Sequence, residues 1–286
     1  MSERKVTILT GDPTIEVIAH MKLTTTGLER MARWVKEHRP ECLPDDYNNW
    51  TDLFPHKEMS DDYSPRSDNE LLVELAGRKC YDSFGLKAGK RTNKEYIANT
   101  QGGDIPHSSI MYHAKMSFFF AGISRRVSHE IIRNYVGADR DEEGSPSQES
   151  TRFTHHYGFF IMPPRYLTDV PGSPAELQSK FTNAMQASYD AYLDIVENEV
   201  TNYQGGYGRI PTGIEKKRIY EAASSFLPHQ SETSFIWTTN PMAIAKFCRE
   251  RDNEAADLEI QRFARKWKKL CVKCWPNLFP HPWMHE

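Results

Sequence analysis

The sequence predicts an α/β protein, and three observations carry that prediction. Two β-branched-rich runs, 6–10 and 15–23, flank Gly11-Asp12-Pro13 and read as two strands joined by a turn. Ser173-Pro174-Ala175-Glu176 is a capping box with proline in the first helical turn. It precedes Leu177, Phe181, Ala184, Tyr192 and Ile195 at helical spacing, with Ser188 the one polar break. Asn240-Pro241 is a second cap-and-proline start. The apolar stripe after it reads as one helix through Ile244, Cys248, Arg251, Ala255, Leu258, Phe263, Trp267, Leu270 and Cys274.

The other elements follow from the same rules. Residues 39–68 are rich in Pro, Asp and Asn with scattered aromatics and read as an irregular surface insertion. Glu74 to Asp82 reads as helix, and Met116-Ser117-Phe118-Phe119-Phe120 as a buried strand or helix entry. Ser124 can cap a helix to about Tyr135, with Val127, Ile131 and Tyr135 on its apolar face. Arg126, Glu130, Arg133 and Asn134 form a polar stripe on that helix. Residues 136–144 are charged, flanked by glycine and short of apolar anchors, so they read as a mobile loop.

Whole-chain properties narrow the function. A length of 286 residues accommodates one domain, 1–286, with a substantial core. With 36 basic against 39 acidic residues, net −3, the chain lacks the overall positive charge of a general nucleic-acid or membrane-surface binder. Five cysteines without a framework spacing suit a reducing compartment. Cys271 and Cys274 have ligand spacing but no second pair, and read as two small core residues. No apolar run approaches membrane length, and the short apolar run after the charged N-terminus does not read as a signal peptide, so a cytoplasmic protein is expected.

The chemistry concentrates in residues 145–153, Ser-Pro-Ser-Gln-Glu-Ser-Thr-Arg-Phe. Arg152 can fork onto a phosphate or a planar imide, and Ser150 faces the same side if the segment is extended. A polar turn accounts equally well for the composition. Arg251 falls on an apolar helix stripe, where an unpartnered guanidinium is costly. Either it pairs with Glu254 or snorkels to solvent, or it is a cation aimed into a pocket. Ser150 has no relay placed to deprotonate it, so it reads as a binding hydroxyl. His107 and His113 lack a third ligand at telling spacing, and no metal is expected. His155 and His156 read as partly exposed.

Two segments together carry a family resemblance. Ser145 to Phe153 fits the pattern S-x-[NS]-[EQ]-x-S-x-R-[YF], and Thr233 to Asn240 fits T-x-F-x-W-x-x-N, with Arg251 eleven residues after Asn240. Both patterns resemble those of the flavin-dependent thymidylate synthases, over roughly residues 70–270. The resemblance implies an antiparallel sheet with long helices and a homotetramer whose sites draw on several subunits. It implies C5-methylation of a uracil nucleotide, with methylene-tetrahydrofolate as carbon donor and NADPH reducing an FAD cofactor. Its partners would be nucleotide and folate, not nucleic acid or membrane. Arg251 would be the catalytic residue, contacting the nucleotide together with Glu130, Arg133, Gln148, Glu149, Ser150, Arg152 and Ser224. Ser109, Arg133, Asn134, Tyr135, Asn240 and Lys246 would hold the flavin, and His113 would be structural.

The chain departs from the family pattern in ways that bear on the substrate. Arg133-Asn134-Tyr135 stands where the family has Arg-His-Arg, and an insertion separates it from Ser145. Glu130 replaces a glutamine, Ser224 an arginine and Ala255 a histidine. Arg125, Arg126, Lys216, Lys217 and Arg218 are available to compensate. These changes point to the branch that methylates UMP as well as dUMP in nucleoside-antibiotic biosynthesis. The alternatives are a flavin-dependent uridylate hydroxymethylase and a non-catalytic nucleotide-binding homologue.

Overall fold

The computed structural model of the chain describes residues 4–54, 67–89, 91–102, 106–137, 146–167 and 174–285, with the backbone alone for 134–137. In chain order the strands are β1 (Thr7–Leu9), β2 (Thr14–His20), β3 (Met116–Ser124), β4 (Ser147–Gln148), β5 (Phe159–Ile161) and β6 (Glu232–Thr239). The helices are α1 (Thr25–His38), α2 (Asp68–Cys80), α3 (Asn93–Gln101), α4 (Arg125–Gly137), α5 (Pro174–Tyr207), α6 (Gly213–Ala223), α7 (Pro241–Arg251), α8 (Leu258–Cys274) and α9 (Pro282–His285). A four-stranded antiparallel sheet has the order β2-β3-β6-β4, and β1 pairs in parallel with β5.

Alternation builds the main core. Met116, Phe118 and Phe120 on β3 and Thr233, Phe235, Trp237 and Thr239 on β6 point to one buried face, as the two-residue period of a strand requires. Phe118 and Phe120 meet Trp267 of α8 edge-on, each at 5.3 Å between ring centroids. Ile244, Phe247 and Cys248 of α7 and Ile260, Phe263 and Cys271 of α8 complete this cluster. Burying each large side chain contributes about 1.5–3 kcal/mol.

Three expectations change here. The first two strands do not form a hairpin, because the backbone of β1 is engaged elsewhere: Thr7 donates to Gly158 O at 2.8 Å, and Leu9 O accepts from Met162 at 2.9 Å. The run from Pro241 to Cys274 is two helices. Asp252 leaves the helix to bind Arg265 and Lys268, Asn253 accepts from Ala255 N, and Asp257 caps the new helix through Glu259 N. Ala255 and Leu258 are therefore exposed, and of the cysteine pair only Cys271 lies in the core. Residues 40–54 are irregular but not superficial: Cys42, Leu43, Leu53 and Phe54 are buried against Leu28, Ala32 and Val35 of α1. Residues 55–66 lie outside the described residues, and the expected stretch ends early because Ser67 caps α2 and Asp68 is its first residue.

A buried polar cluster ties α2 to α3. Glu74 and Arg78 are fully buried and paired at 2.7 Å, and Asn93 donates to the other Glu74 oxygen at 2.8 Å. Arg78 also donates to Ser83 O and Ala88 O and lies 4.5 Å from the Tyr96 ring centroid. A second core joins β1 and β5 to α5 and α6 through Phe160, Tyr189, Tyr192 and Ile219. The buried stripe of α5 is Met185, Tyr189, Tyr192, Leu193 and Val196, whereas Ala184 is exposed. Its expected cap, Ser173, is outside the described residues. Gly158 is required beside this core, since its φ is +78° and a Cβ would sit 2.9 Å from the Tyr189 ring.

Two outcomes are expected from these cores. Glu74→Ala leaves Arg78 buried and unpaired, and should cost about 3–5 kcal/mol in urea denaturation. Burial first, with Arg125 and His155 adding, pushes His156 down to about 4. The unfolded chain therefore binds this proton more readily, so stability rises with pH from about 4 to the ordinary histidine range and is lost on acidification. His156→Gln should flatten that segment of the stability curve, read as urea midpoints at about pH 4.5 and pH 7.

Candidate functional site

The end of β6 positions the first group of site residues. Asn240 is extended and fully buried, and its side-chain oxygen accepts from Ala243 N at 3.1 Å, so it caps α7 as its place before Pro241 predicts. Eleven residues of α7 then carry Arg251 to the last turn. The Arg251 side chain is 23% exposed and its NH1 lies 3.7 Å from Glu130 Oε2. Its Nε is buried without a hydrogen-bond partner. Glu254 is not the partner, because the helix ends at Arg251 and the three-residue helical spacing no longer holds.

Glu130 reaches this point from α4. That helix starts where Ser124 Oγ accepts from Val127 N at 3.2 Å, and it buries Val127 and Ile131. The Ser124 hydroxyl in turn donates to the buried Glu259 at 2.9 Å, joining α4 to the start of α8. Arg126, one turn before Glu130, is paired with Asp257 and is not its counterion. Arg133 is exposed, and the side chains of Asn134 and Tyr135 lie outside the description.

The second group hangs on the other edge of β6. Ser147 and Gln148 pair with Ile236 and Phe235, and Gln148 Nε2 donates to Ser128 Oγ at 2.8 Å and Thr233 Oγ1 at 3.0 Å. Gln148 thus stitches α4 to β6. Glu149 N donates to Ser234 O, and its carbonyl accepts from Arg125. The chain then turns: Ser150 O accepts from Phe153 N and Thr154 N, both at 3.0 Å, and Ser150 Oγ accepts from Arg152 N at 3.4 Å. Ser150 and Arg152 are therefore residues of a polar turn, not of an extended strand. The turn leaves Arg152 exposed, 3.6 Å from Glu221 of α6, which also pairs with Lys217 at 2.7 Å. Ser224 donates to Glu221 O and terminates the same helix. Ser145 and residues 138–144 lie outside the described residues.

Behind this turn is a cavity of about 190 Å³ lined by Arg125, Glu149, Thr151, His155, His156 and Glu232, among others. Arg125 Nε is buried without a partner, and burial lowers the guanidinium's affinity for its proton. Burial likewise raises the Glu232 carboxyl, which accepts from Gly122 N at 2.8 Å. Sequence reasoning did not single out Glu232 and counted Arg125 only as a spare cation. Their burial arises where strand and turn meet, with no local pattern to announce it. His155 and His156 are partly buried, as expected.

Ser109, in the short 3₁₀ segment Ser108–His113, is exposed, as are His113 and Lys246. An exposed hydroxyl and the cations of Lys246 and Arg133 suit the anionic diphosphate of a dinucleotide. The Asn240 side chain is buried and sets the start of α7. His107 contacts the Tyr81 hydroxyl. Among the described residues no three His, Cys, Asp or Glu side chains converge as a metal site, and no helix is long and apolar enough to cross a membrane. Nor does any hydrogen bond or ion pair among them join Arg251 and Glu130 to Ser150 and Arg152.

Comparison with known proteins matches this arrangement to one family. Residues 62–277 fit the family described as thymidylate synthase complementing protein. The chain is 33% identical over 211 residues to a flavin-dependent thymidylate synthase of Mycolicibacterium vanbaalenii, covering 73% of this chain and 77% of that one. It is 32% identical over 222 residues to the Mycobacteroides abscessus enzyme of the same description, covering 76% and 82%. Among solved structures it superposes on a UMP/dUMP methylase, PolB, from Streptomyces cacaoi, with a TM-score of 0.60 and 14% identity over 96% of each chain. With residues 62–277 fitting the family model and about three-quarters of both chains aligned to these relatives at 32–33% identity, this protein belongs to the flavin-dependent thymidylate synthase family.

Proposed function

We propose that this methyltransferase transfers a one-carbon unit to C5 of a uracil nucleotide, dUMP or UMP, with methylene-tetrahydrofolate as carbon donor and NADPH as reductant in the cytoplasm. The observation that carries the reading is Arg251: three-quarters buried, with one guanidinium nitrogen unpartnered and the nearest carboxylate at 3.7 Å. A cation held in this way can donate to a uracil carbonyl and stabilise the negative charge that grows on its oxygen as C5 attacks an electrophile. Fixing the guanidinium at the end of a capped helix means that little reorganisation is needed during the reaction.

Ser150 and Arg152 would hold the nucleotide phosphate, the turn presenting a hydroxyl and an exposed fork together. Lys217 stands beside Arg152 and supplies positive charge where the family pattern has an arginine in place of Ser224. Gln148 and Glu149 would act mainly by setting this turn, since the Gln148 amide and the Glu149 backbone are engaged with β6 and α4. Ser109, Arg133 and Lys246, with the start of α7 at Asn240, would hold FAD, which supplies the hydride that completes the methyl group. As the family resemblance implies, the assembly would be a homotetramer whose sites draw on several subunits. Acceptance of UMP is supported by the shared fold with a UMP/dUMP methylase and by Glu130 replacing the family's glutamine.

The direct test is to incubate the FAD-reconstituted protein with NADPH, methylene-tetrahydrofolate and either nucleotide, and to weigh the product. A gain of one methylene unit by UMP and by dUMP is expected; absence of methylated product from both overturns the reading. Arg251→Ala should lower kcat/KM about 10²–10³-fold with an unchanged circular dichroism spectrum. In contrast, Arg152→Ala should raise KM about tenfold with kcat nearly preserved, as expected for loss of a phosphate contact made equally in ground and transition states.

A further inference from the structure

The cavity behind the Ser150 turn holds charges that do not cancel one another. Arg125 reaches it from the start of α4, Glu149 from just after β4 and Glu232 from the start of β6. One guanidinium nitrogen of Arg125 donates to Glu149 O at 2.8 Å, while its Nε is buried without a partner. Glu232 Oε1 accepts from Gly122 N at 2.8 Å. Among the described residues Glu232 Oε2 and the Glu149 carboxylate accept no hydrogen bond, and neither acid is ion-paired with Arg125. Burial disfavours the Arg125 cation and the Glu232 anion alike, so an occupant that presents the opposite charge to each relieves both. The volume of about 190 Å³ is more than ten times what one water needs, about 10–15 Å³. The exposed rings of Tyr157 and Phe159 line it and give a route from solvent.

Of the residues that the family resemblance assigns to the nucleotide, only Glu149 lines this cavity. Two carboxylates on its wall disfavour a phosphate, and the guanidinium disfavours a simple amine. A molecule that carries both charges meets neither objection. We propose that the cavity is a second ligand site for a small zwitterion of the α-amino-acid type, with its carboxylate on Arg125 and its ammonium between Glu149 and Glu232. A guanidinium fork matches a planar carboxylate, and the three ammonium protons can be shared between the two acids and the Thr151 hydroxyl. His155 and His156 do not oppose the ammonium, because burial holds both imidazoles below the ordinary histidine range and so neutral near pH 7. The assignment is independent of the nucleotide reading above.

Calorimetric titration of the purified protein with L-alanine, acetate and ethylammonium tests this, the last two each carrying one of the two charges. L-Alanine should bind with a Kd of about 1 mM or tighter, and acetate and ethylammonium at least about tenfold more weakly. Glu232→Gln keeps an oxygen for Gly122 N but removes the charge, and should weaken L-alanine at least about tenfold with an unchanged circular dichroism spectrum. Arg125→Lys keeps the positive charge but loses the fork, and should weaken L-alanine about tenfold. Should Arg125→Lys fail to fold, since Arg125 also holds Glu149 O, Glu232→Gln alone decides. L-Alanine binding that neither substitution changes lies elsewhere on the protein and overturns the assignment. Acetate or ethylammonium binding as tightly as L-alanine overturns the zwitterion. No saturable binding of L-alanine at millimolar concentrations means that the cavity holds water only, which overturns the site itself. None of these outcomes involves nucleotide turnover, so the proposed function stands or falls separately.

Discussion

The antiparallel pairing of β3 with β6 is the constraint on which the rest of the structure depends. Side chains alternate across a strand, so a slip of one residue would turn Phe235 and Trp237 away from Phe118, Phe120 and Trp267 and expose the centre of the core. That register has functional consequences at both margins of β6. One margin takes Gln148 at Phe235, which sets where the Ser150 turn begins. The C-terminal end delivers Asn240 to cap α7, which sets where Arg251 stands. Residues distant in sequence owe their positions to the same ladder of backbone hydrogen bonds.

Charges are used in two ways in this protein, and the difference in geometry separates support from site. Glu74 and Arg78 are fully buried, tightly paired and further satisfied by Asn93, Ser83 and Ala88. Asp252 is gripped by Lys268 and Arg265 at 2.5 and 2.7 Å, and Glu259 accepts two bonds from Ser124. In each, short ion pairs and hydrogen bonds offset the desolvation cost, so the groups hold elements together. Arg251 and Glu130 are looser and less complete. A guanidinium held this way at the end of a capped helix is suited to a ligand.

Much of this was legible in local sequence. Asn240-Pro241 and Ser124 announced their helices because capping is a contact within one turn, and the mostly apolar run Met116 to Phe120 announced a buried strand or helix entry, of which the structure makes a strand. The antiparallel sheet was legible through the family resemblance. What escaped were features set by distant partners. Val6 to Leu23 looked like a hairpin because nothing local reveals that β1 will pair with Phe159 to Ile161. Ala255 and Leu258 continued an apolar stripe, yet Asp252 is drawn out of the helix by Arg265 and Lys268 of α8. The Ser150 segment was compatible with strand or turn, and its bonds to Phe153 and Thr154 made it a turn.

Arg251 shows where local sequence stops and folding takes over. Its residue type, its helix and its place on a mostly apolar face follow from spacing and capping, which act over one or two turns. Its partner does not, because electrostatic pairing depends on distance in space: Glu254 is three residues away in sequence, but the helix ends first, and Glu130 arrives from α4. Family and motifs could be read from the order of residues, whereas the carboxylate facing Arg251 was decided by the packing of α4 and α7 on one sheet.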